Sequence, residues 1–269
     1  MKSSIIAVHG ATGTQGSPVV RRLLDQGHTV RALTRRTGTD LTDVHAMIET
    51  YRDVDAVVLQ LPLVFDHTAV RQAEAVLAAL GKAGVPRVVF NTSGGLPEAP
   101  VGVPFVDARA LLRTQLPSVV DTVAVLAPAA TYAENLSAAW SAPLVAAGEV
   151  RYPLPAQAPI PWVAAEDVAA AVAELVTAEY PTPAQLLAGP EDLVGTEVAA
   201  HLSNALGRPV EWHTITPAEY EDMLTPHLGP AAAAGIAASY ATPAPAPDPT
   251  LIRRGTTTLE AWAHSQHWR

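Results

Sequence analysis

The chain contains no cysteine among its 269 residues. That excludes disulfides, thiolate nucleophiles and cysteine-ligated zinc together, and fits a reducing compartment. Charge is scarce at 16%, and acids outnumber bases by 26 to 17, for a net charge of −9. A net-negative surface repels phosphate backbones, and the bases are not interleaved with aromatics, so nucleic acid is not an expected partner. Long uninterrupted apolar runs are missing as well. The apolar stretch 163–176 carries Glu166, Asp167 and Glu174, so no membrane span is expected. The run at residues 5–8 is too short for a secretory signal, and the expectation is a soluble cytoplasmic protein. The zinc-protease helix motif, the nucleophile elbow and the Walker lysine loop are all absent. His264 and His267 stand three apart with no acidic cluster nearby, so no metal site is expected.

What is present is aliphatic. Hydrophobic residues make up 49% of the chain, which excludes disorder and supports a sizeable core. Strand-length aliphatic runs at 5–9, 29–34, 55–61, 87–91 and 122–126 alternate with helical periodicity at 18–26, 67–83 and 105–115. This rhythm predicts an α/β fold, a doubly wound parallel sheet of the Rossmann type with helices on both faces. The expected division is 1–130 for the nucleotide-binding domain. Residues 131–269 are expected to be mainly a smaller, mostly helical substrate-binding cap, with segments returning to the first domain. In that second half we expect helices at 133–147, 166–179, 196–206, 217–224 and 259–263, short strands at 185–188 and 210–214, and a connector at 148–162. Residues 229–249, small and apolar and then proline-rich, read as a spacer. The acids Glu166 and Asp167 read as dipole compensation at a helix start, and Asp66 as a helix cap beside an exposed His67.

The sharpest motif lies between the first strand and the first helix: Gly10-Ala11-Thr12-Gly13-Thr14-Gln15-Gly16. Glycines at this spacing let the backbone turn tightly and approach a pyrophosphate, which then meets the free N–H groups of the helix start. Gly10, Thr12, Gly13, Thr14, Gln15 and Gly16 are therefore the expected cofactor contacts. The second strand runs into Arg35-Arg36, where dinucleotide folds place the adenosine ribose. A guanidinium there pairs with a 2′-phosphate, whereas NAD sites carry an acid, so NADPH is the expected cofactor. Asp40 would flank the adenine, Leu61 and Pro62 would border the ribose, and Thr92 completes the cofactor set.

The chain resembles the NmrA-like members of the atypical short-chain dehydrogenases/reductases. The resemblance is carried by GATGTQG (10–16), VRALTRR (30–36), AGVPRVVFNTSGG (83–95), TYAENL (131–136), IPWVAAEDVAAAV (160–172), AGPEDLVGTEVAAHLSNALGRPVEW (188–212) and TTTLEAWAHSQHW (256–268). It implies an NADP(H)-binding Rossmann-type domain and a cap closing a cleft over the nicotinamide. Such members reduce quinones, carbonyls and related conjugated systems, or bind the cofactor as redox-sensing regulators.

Two departures stand out. Only three residues separate Arg36 from Asp40, so the family's third strand is expected to be short or lost. The Tyr-x-x-x-Lys pair of such reductases is matched by Phe105 and Arg109; Phe105 has no proton to give, and Arg109 keeps a charge for ribose hydroxyls. Ser93 would then hydrogen-bond the substrate carbonyl. Tyr132 is the candidate replacement acid, with packing as its alternative, and Asn135 and Trp162 are further candidate substrate contacts. The leading expectation is an NADPH-dependent reductase, monomeric or homodimeric, of a small apolar carbonyl or quinone-like molecule. The alanine-, proline- and valine-rich, lysine-poor composition fits a GC-rich genome and a place in secondary metabolism. The rival is a non-catalytic NADP(H) sensor.

Overall fold

The computed structural model describes residues 3–34, 40–241 and 247–268. Its elements divide into two units, Met1–Pro128 with Val168–Leu186, and Ala129–Asp167 with Leu187–Arg269.

In the first unit, aliphatic runs with no polar alternation become buried parallel strands, because helices on both faces exclude water; the strand at 29–33 is the exception, with Thr29 and Ala32 exposed and only Leu33 buried. These are β1 (Ile5–His9), β2 (Thr29–Leu33), β3 (Ala56–Leu59), β4 (Arg87–Asn91) and β5 (Thr122–Pro128). Ile6, Val8, Val57, Leu59, Val88 and Phe90 are buried. β1 pairs in parallel with β2 (Ile5 opposite Thr29) and with β3 (Ile6 opposite Ala56). Parallel pairing continues from β3 to β4 and from β4 to β5. The crossovers are α1 (Gly16–Asp25), α2 (Val44–Tyr51), α3 (Thr68–Ala83) and α4 (Pro104–Val119). Gly84 ends α3 in the left-handed region at φ 65°, a conformation that favours glycine. Pro104 starts α4, where the missing N–H costs nothing. Met47, Tyr51, Val76, Leu80, Leu112 and Leu116 bury the inner faces of α2, α3 and α4 in one core.

α2 was not expected from the sequence. It is only eight residues long, and its signal is the cap: the Asp43 carboxylate accepts from the Ala46 N–H at 3.0 Å. Among the described residues no strand lies beyond β2.

The remaining elements are α5 (Tyr132–Leu136), α6 (Ala142–Ala147), β6 (Glu149–Tyr152), α7 (Ala165–Thr177), β7 (Ala184–Ala188), α8 (Gly195–Leu206), β8 (Glu211–Thr214), α9 (Pro217–Leu228), α10 (Pro230–Ala238), β9 (Ile252–Arg254) and α11 (Leu259–Ser265). The full sheet has seven strands in the order β2-β1-β3-β4-β5-β7-β9, flanked by helices.

Four expectations for the second half are corrected. The single helix at 133–147 is two: Ala138 N–H turns back onto Ser141 Oγ at 3.1 Å, and Pro143 can open α6 but not continue α5. The connector at 148–162 contains β6, which pairs in parallel with β8. The spacer contains α10, whose start is set by Pro230. A further short strand, β9, precedes the last helix. The core of the second unit is aromatic, with Tyr132, Tyr152, Trp162, Tyr220 and Trp262 all buried. Among the described residues no helix is long and apolar enough to cross a membrane, and no cluster of potential metal ligands occurs.

Candidate functional site

The carboxyl ends of β1, β3 and β4 release three loops of the first unit, and these hold the candidate site. After β1 the chain turns at Gly10, at φ 62°, and Gly13 N–H closes the turn onto the Gly10 carbonyl at 2.8 Å. α1 then starts directly beneath that turn. A Cβ at Gly16 would overlap the Gly10 carbonyl oxygen and lie 2.7 Å from its carbon, so no side chain fits. Gly10, Thr12, Gly13 and Thr14 are exposed, whereas Gln15 and Gly16 are buried. The Gln15 side chain makes no capping bond to α1, and the first turn of the helix holds no acid. Its Oε1 instead accepts from Asn91 Nδ2 at 2.8 Å. Ser17 N–H is taken by the Gly13 carbonyl at 2.9 Å and Pro18 has no N–H, so what the exposed turn offers an anion is the positive end of a helix with neither an acid nor a side-chain cap, and this cradle fits a dinucleotide pyrophosphate.

Asn91 ends β4 and anchors the loop after it. Its Oδ1 accepts from Ser93 N–H at 2.9 Å. Ser93 sits at φ 57°, a region that non-glycine residues seldom occupy. Its Oγ accepts from Gln60 Nε2 at 2.8 Å. Thr92 is fully buried, with its hydroxyl donating to Gly94 O at 2.7 Å.

Arg109 is 3% exposed and is spent on the backbone. Nε donates to Thr92 O at 2.7 Å, Nη1 to Phe105 O at 2.9 Å, and Nη2 to Leu61 O at 3.4 Å. Its guanidinium carbon lies 3.4 Å from the Phe105 ring centroid. The other face of Phe105 stacks on Phe65, with centroids 4.7 Å apart and planes at 7°. Burial pulls the Arg109 pKa down to about 9. The expected ribose contact is thus placed as a clamp on three carbonyls, because a buried guanidinium must use its donors.

The other expected residues are scattered. Arg35 and Arg36 lie outside the described residues. Asp40 is exposed, and its Oδ1 accepts from Thr42 N–H and Thr42 Oγ1, both at 2.8 Å; these bonds lower its pKa. Leu61 is buried and Pro62 exposed. Asp66 accepts from Thr68 N–H at 2.7 Å at the start of α3, beside an exposed His67.

In the second unit Tyr132 is 1% exposed, between Trp162 at 6.5 Å and Trp262 at 5.3 Å. Its hydroxyl donates to Thr257 O at 3.3 Å. Burial, with Asp167 and Glu191 nearby, raises its pKa. This is the geometry of the packed alternative. Asn135 Nδ2 bonds Thr131 O at 2.8 Å, and Trp162 is fully buried core. Glu166 and Asp167 do stand in the first turn of α7, but Asp167 also holds the backbone of Thr256 and Thr257.

Sequence reasoning missed Gln60 and the role of Asn91. The available signal was a polar residue closing an aliphatic run, as in Ala56-Val57-Val58-Leu59-Gln60.

The chain belongs to the NmrA-like family, whose sequence profile matches residues 2–241. It is 31% identical over 238 residues to an NAD(P)H azoreductase of Xenophilus azovorans, covering 82% of this chain and 80% of that one. It is 32% identical over 225 residues to a (4-alkanoyl-5-oxo-2,5-dihydrofuran-3-yl)methyl phosphate reductase of Streptomyces griseus, covering 78% and 77%. Its fold matches an NADPH-dependent quinone oxidoreductase of Escherichia coli solved with NADPH, at a TM-score of 0.68 and 21% identity, over 96% and 98% of the two chains.

Proposed function

We propose that this protein is an NADPH-dependent reductase of a small, largely apolar acceptor of the carbonyl or quinone-like class. The observation that carries the reading is the open glycine cradle on an uncapped helix start. The two relatives above 30% identity are both reductases, one of them using NAD(P)H. The backbone from Gly10 to Gly16 would hold the pyrophosphate, and Arg35 and Arg36 would pair with the 2′-phosphate. When bound, the reduced nicotinamide supplies a hydride. Ser93, on the neighbouring loop, offers a hydroxyl to an electron-rich atom of the acceptor. Phe105 offers no phenol, so the preferred acceptors are those whose reduced form is already stabilised, as in a conjugated enolate or a hydroquinone.

The test is NADPH oxidation with a panel of quinones, conjugated ketones and azo dyes, repeated with NADH. Turnover with NADPH preferred, and loss of that preference in Arg35→Ala and Arg36→Ala, supports the reading. No calorimetric binding of either nucleotide overturns it. Phe105 also favours a second reading, a redox sensor: tight NADPH binding without turnover of any acceptor would select it.

A further inference from the structure

The amide of Gln60 points at an oxygen. Gln60 follows β3 directly, and its Nε2 donates to Ser93 Oγ at 2.8 Å across 33 residues of sequence. A serine hydroxyl has one proton and two lone pairs. An N–H that occupies a lone pair leaves the proton to be donated elsewhere. The rest of Ser93 is equally fixed. Its N–H is held by Asn91 Oδ1 at 2.9 Å, and Asn91 is held by Gln15 on the glycine loop. Its backbone stays at φ 57°, a conformation that costs free energy unless its surroundings impose it. Beside it, Gly94 and Gly95 have nothing within 4 Å of where a Cβ would stand. Ser93 thus combines a held backbone, a partnered lone pair and open space alongside.

From this we infer that Gln60 is a positioning residue that makes Ser93 a hydrogen-bond donor, so that the site selects acceptors bearing a lone pair on the group being reduced. The inference rests on the reductase reading and specifies the atom recognised: a lone-pair-bearing oxygen or nitrogen, as in a carbonyl, a quinone or an azo group. In the reduction the acceptor would take a hydride from the reduced cofactor, which is oxidised, either at the far carbon of a C=C conjugated with a carbonyl or at one nitrogen of an N=N bond. The displaced π electron pair moves through the conjugation to the carbonyl oxygen, or to the other azo nitrogen, and that atom then takes one proton from water. The Ser93 O–H bond stays intact and stabilises the heteroatom as its charge grows.

The decisive variant is Gln60→Glu. A carboxylate cannot donate; it would accept the Ser93 proton and reverse the polarity of the pair. At pH 8 we expect kcat to fall by about tenfold or more, with NADPH affinity changed less than about twofold. As pH falls through the carboxyl range the introduced group regains a proton to donate. The variant should therefore recover toward the wild-type rate, while Gln60→Met, slowed at every pH, should not. Wild-type turnover by Gln60→Glu at pH 8, or no recovery at low pH, overturns the inference. A second readout needs neither cofactor nor turnover. The Gln60 side-chain amide protons, assigned by their loss in Gln60→Glu, should shift upfield in the nitrogen–proton NMR spectrum of Ser93→Ala. An unmoved pair also overturns it. If wild-type protein neither binds NADPH nor reduces any acceptor, the reductase reading falls, and the amide shift still decides whether Gln60 directs Ser93.

Discussion

The guanidinium of Arg109 lies over one face of the Phe105 ring while Phe65 covers the other. The resemblance set this position against a proton-donating tyrosine, and the ring here is packed between a cation and a second ring. Phe105→Tyr should therefore leave kcat within about threefold, because the added hydroxyl extends from the edge of a ring already fixed on both faces. A tenfold gain would show that position 105 meets the acceptor after all. Arg109→Met keeps the length but removes the guanidinium donors from the carbonyls of Leu61, Thr92 and Phe105. We expect a loss of about 3 kcal/mol in urea unfolding. Unchanged stability would mean that the clamp contributes nothing.

Gly16 and the Gly10 carbonyl meet where any β-carbon would collide with backbone rather than with a yielding side chain. Gly16→Ala must lift the turn off the helix start. The expected result is a folded protein with at least about tenfold weaker NADPH binding, since the backbone proposed to hold the pyrophosphate moves with the turn. Gly13→Ala should be milder, because there the nearest atom, again the Gly10 oxygen, would be 3.2 Å away. Fluorescence titration with NADPH measures both, and equal affinities for Gly16→Ala and wild type would remove the turn from the binding site.

His9 ends β1 with its Nε2 2.7 Å from the Tyr51 hydroxyl, and both side chains are buried. Burial lowers the His9 pKa from 6.5 to about 4, and raises that of Tyr51, so the hydroxyl stays protonated and the imidazole neutral. Unfolded, His9 takes up a proton near pH 6.5; folded, it does so only near pH 4. The unfolded state binds more protons between these values. Stability is therefore complete above pH 6.5, falls as pH drops toward 4, and levels off below. The difference is about 3 kcal/mol. His9→Gln keeps a polar contact with Tyr51 without titrating. Urea midpoints measured from pH 7 to pH 4 should fall less steeply for this variant than for wild type.

How much of this was legible in the sequence depended on where each residue's partner lies. The glycine turn was readable because its constraint is local: three glycines, a preceding aliphatic run and a following helix all fall within residues 5–25. The parallel sheet was readable because β1, β3 and β4 carry no polar alternation. Gln60 was not readable, since nothing within its own segment explains an amide at the end of β3; its partner stands 33 residues on. Asn91 has its partner at Gln15, 76 residues back. Tyr132 turns on the same long reach. A tyrosine in a loop after a strand suits a proton donor or a packed aromatic, and its hydroxyl's partner, the Thr257 carbonyl, stands 125 residues away. Short elements such as β6 and α10 were hidden by neighbouring glycine and proline, which mark the ends of elements as readily as their absence.

Asp167 and Gly255 show the same long reach and give a sharp thermodynamic test. Asp167 Oδ2 accepts from the N–H groups of Thr256 at 3.1 Å and Thr257 at 2.9 Å. Its Oδ1 accepts from the two threonine hydroxyls, at 3.4 and 3.1 Å. The backbone can approach that closely only because residue 255 has no side chain: a Cβ there would lie 2.5 Å from Oδ2 and 2.8 Å from the carboxyl carbon. Asp167→Asn can keep an amide oxygen on the two N–H groups but must turn its NH2 to the threonine hydroxyls and loses the charge, and should cost about 1 kcal/mol. Gly255→Ala should cost about 2 kcal/mol by pushing the strap away from the carboxylate. The two act through one contact, so Asp167→Ala and Gly255→Ala together should cost less than the sum of the singles by at least about 1 kcal/mol. Limited proteolysis should find the 255–258 segment newly cleavable in each variant. Additive losses in the double-mutant cycle would show that the carboxylate and the strap are not energetically joined.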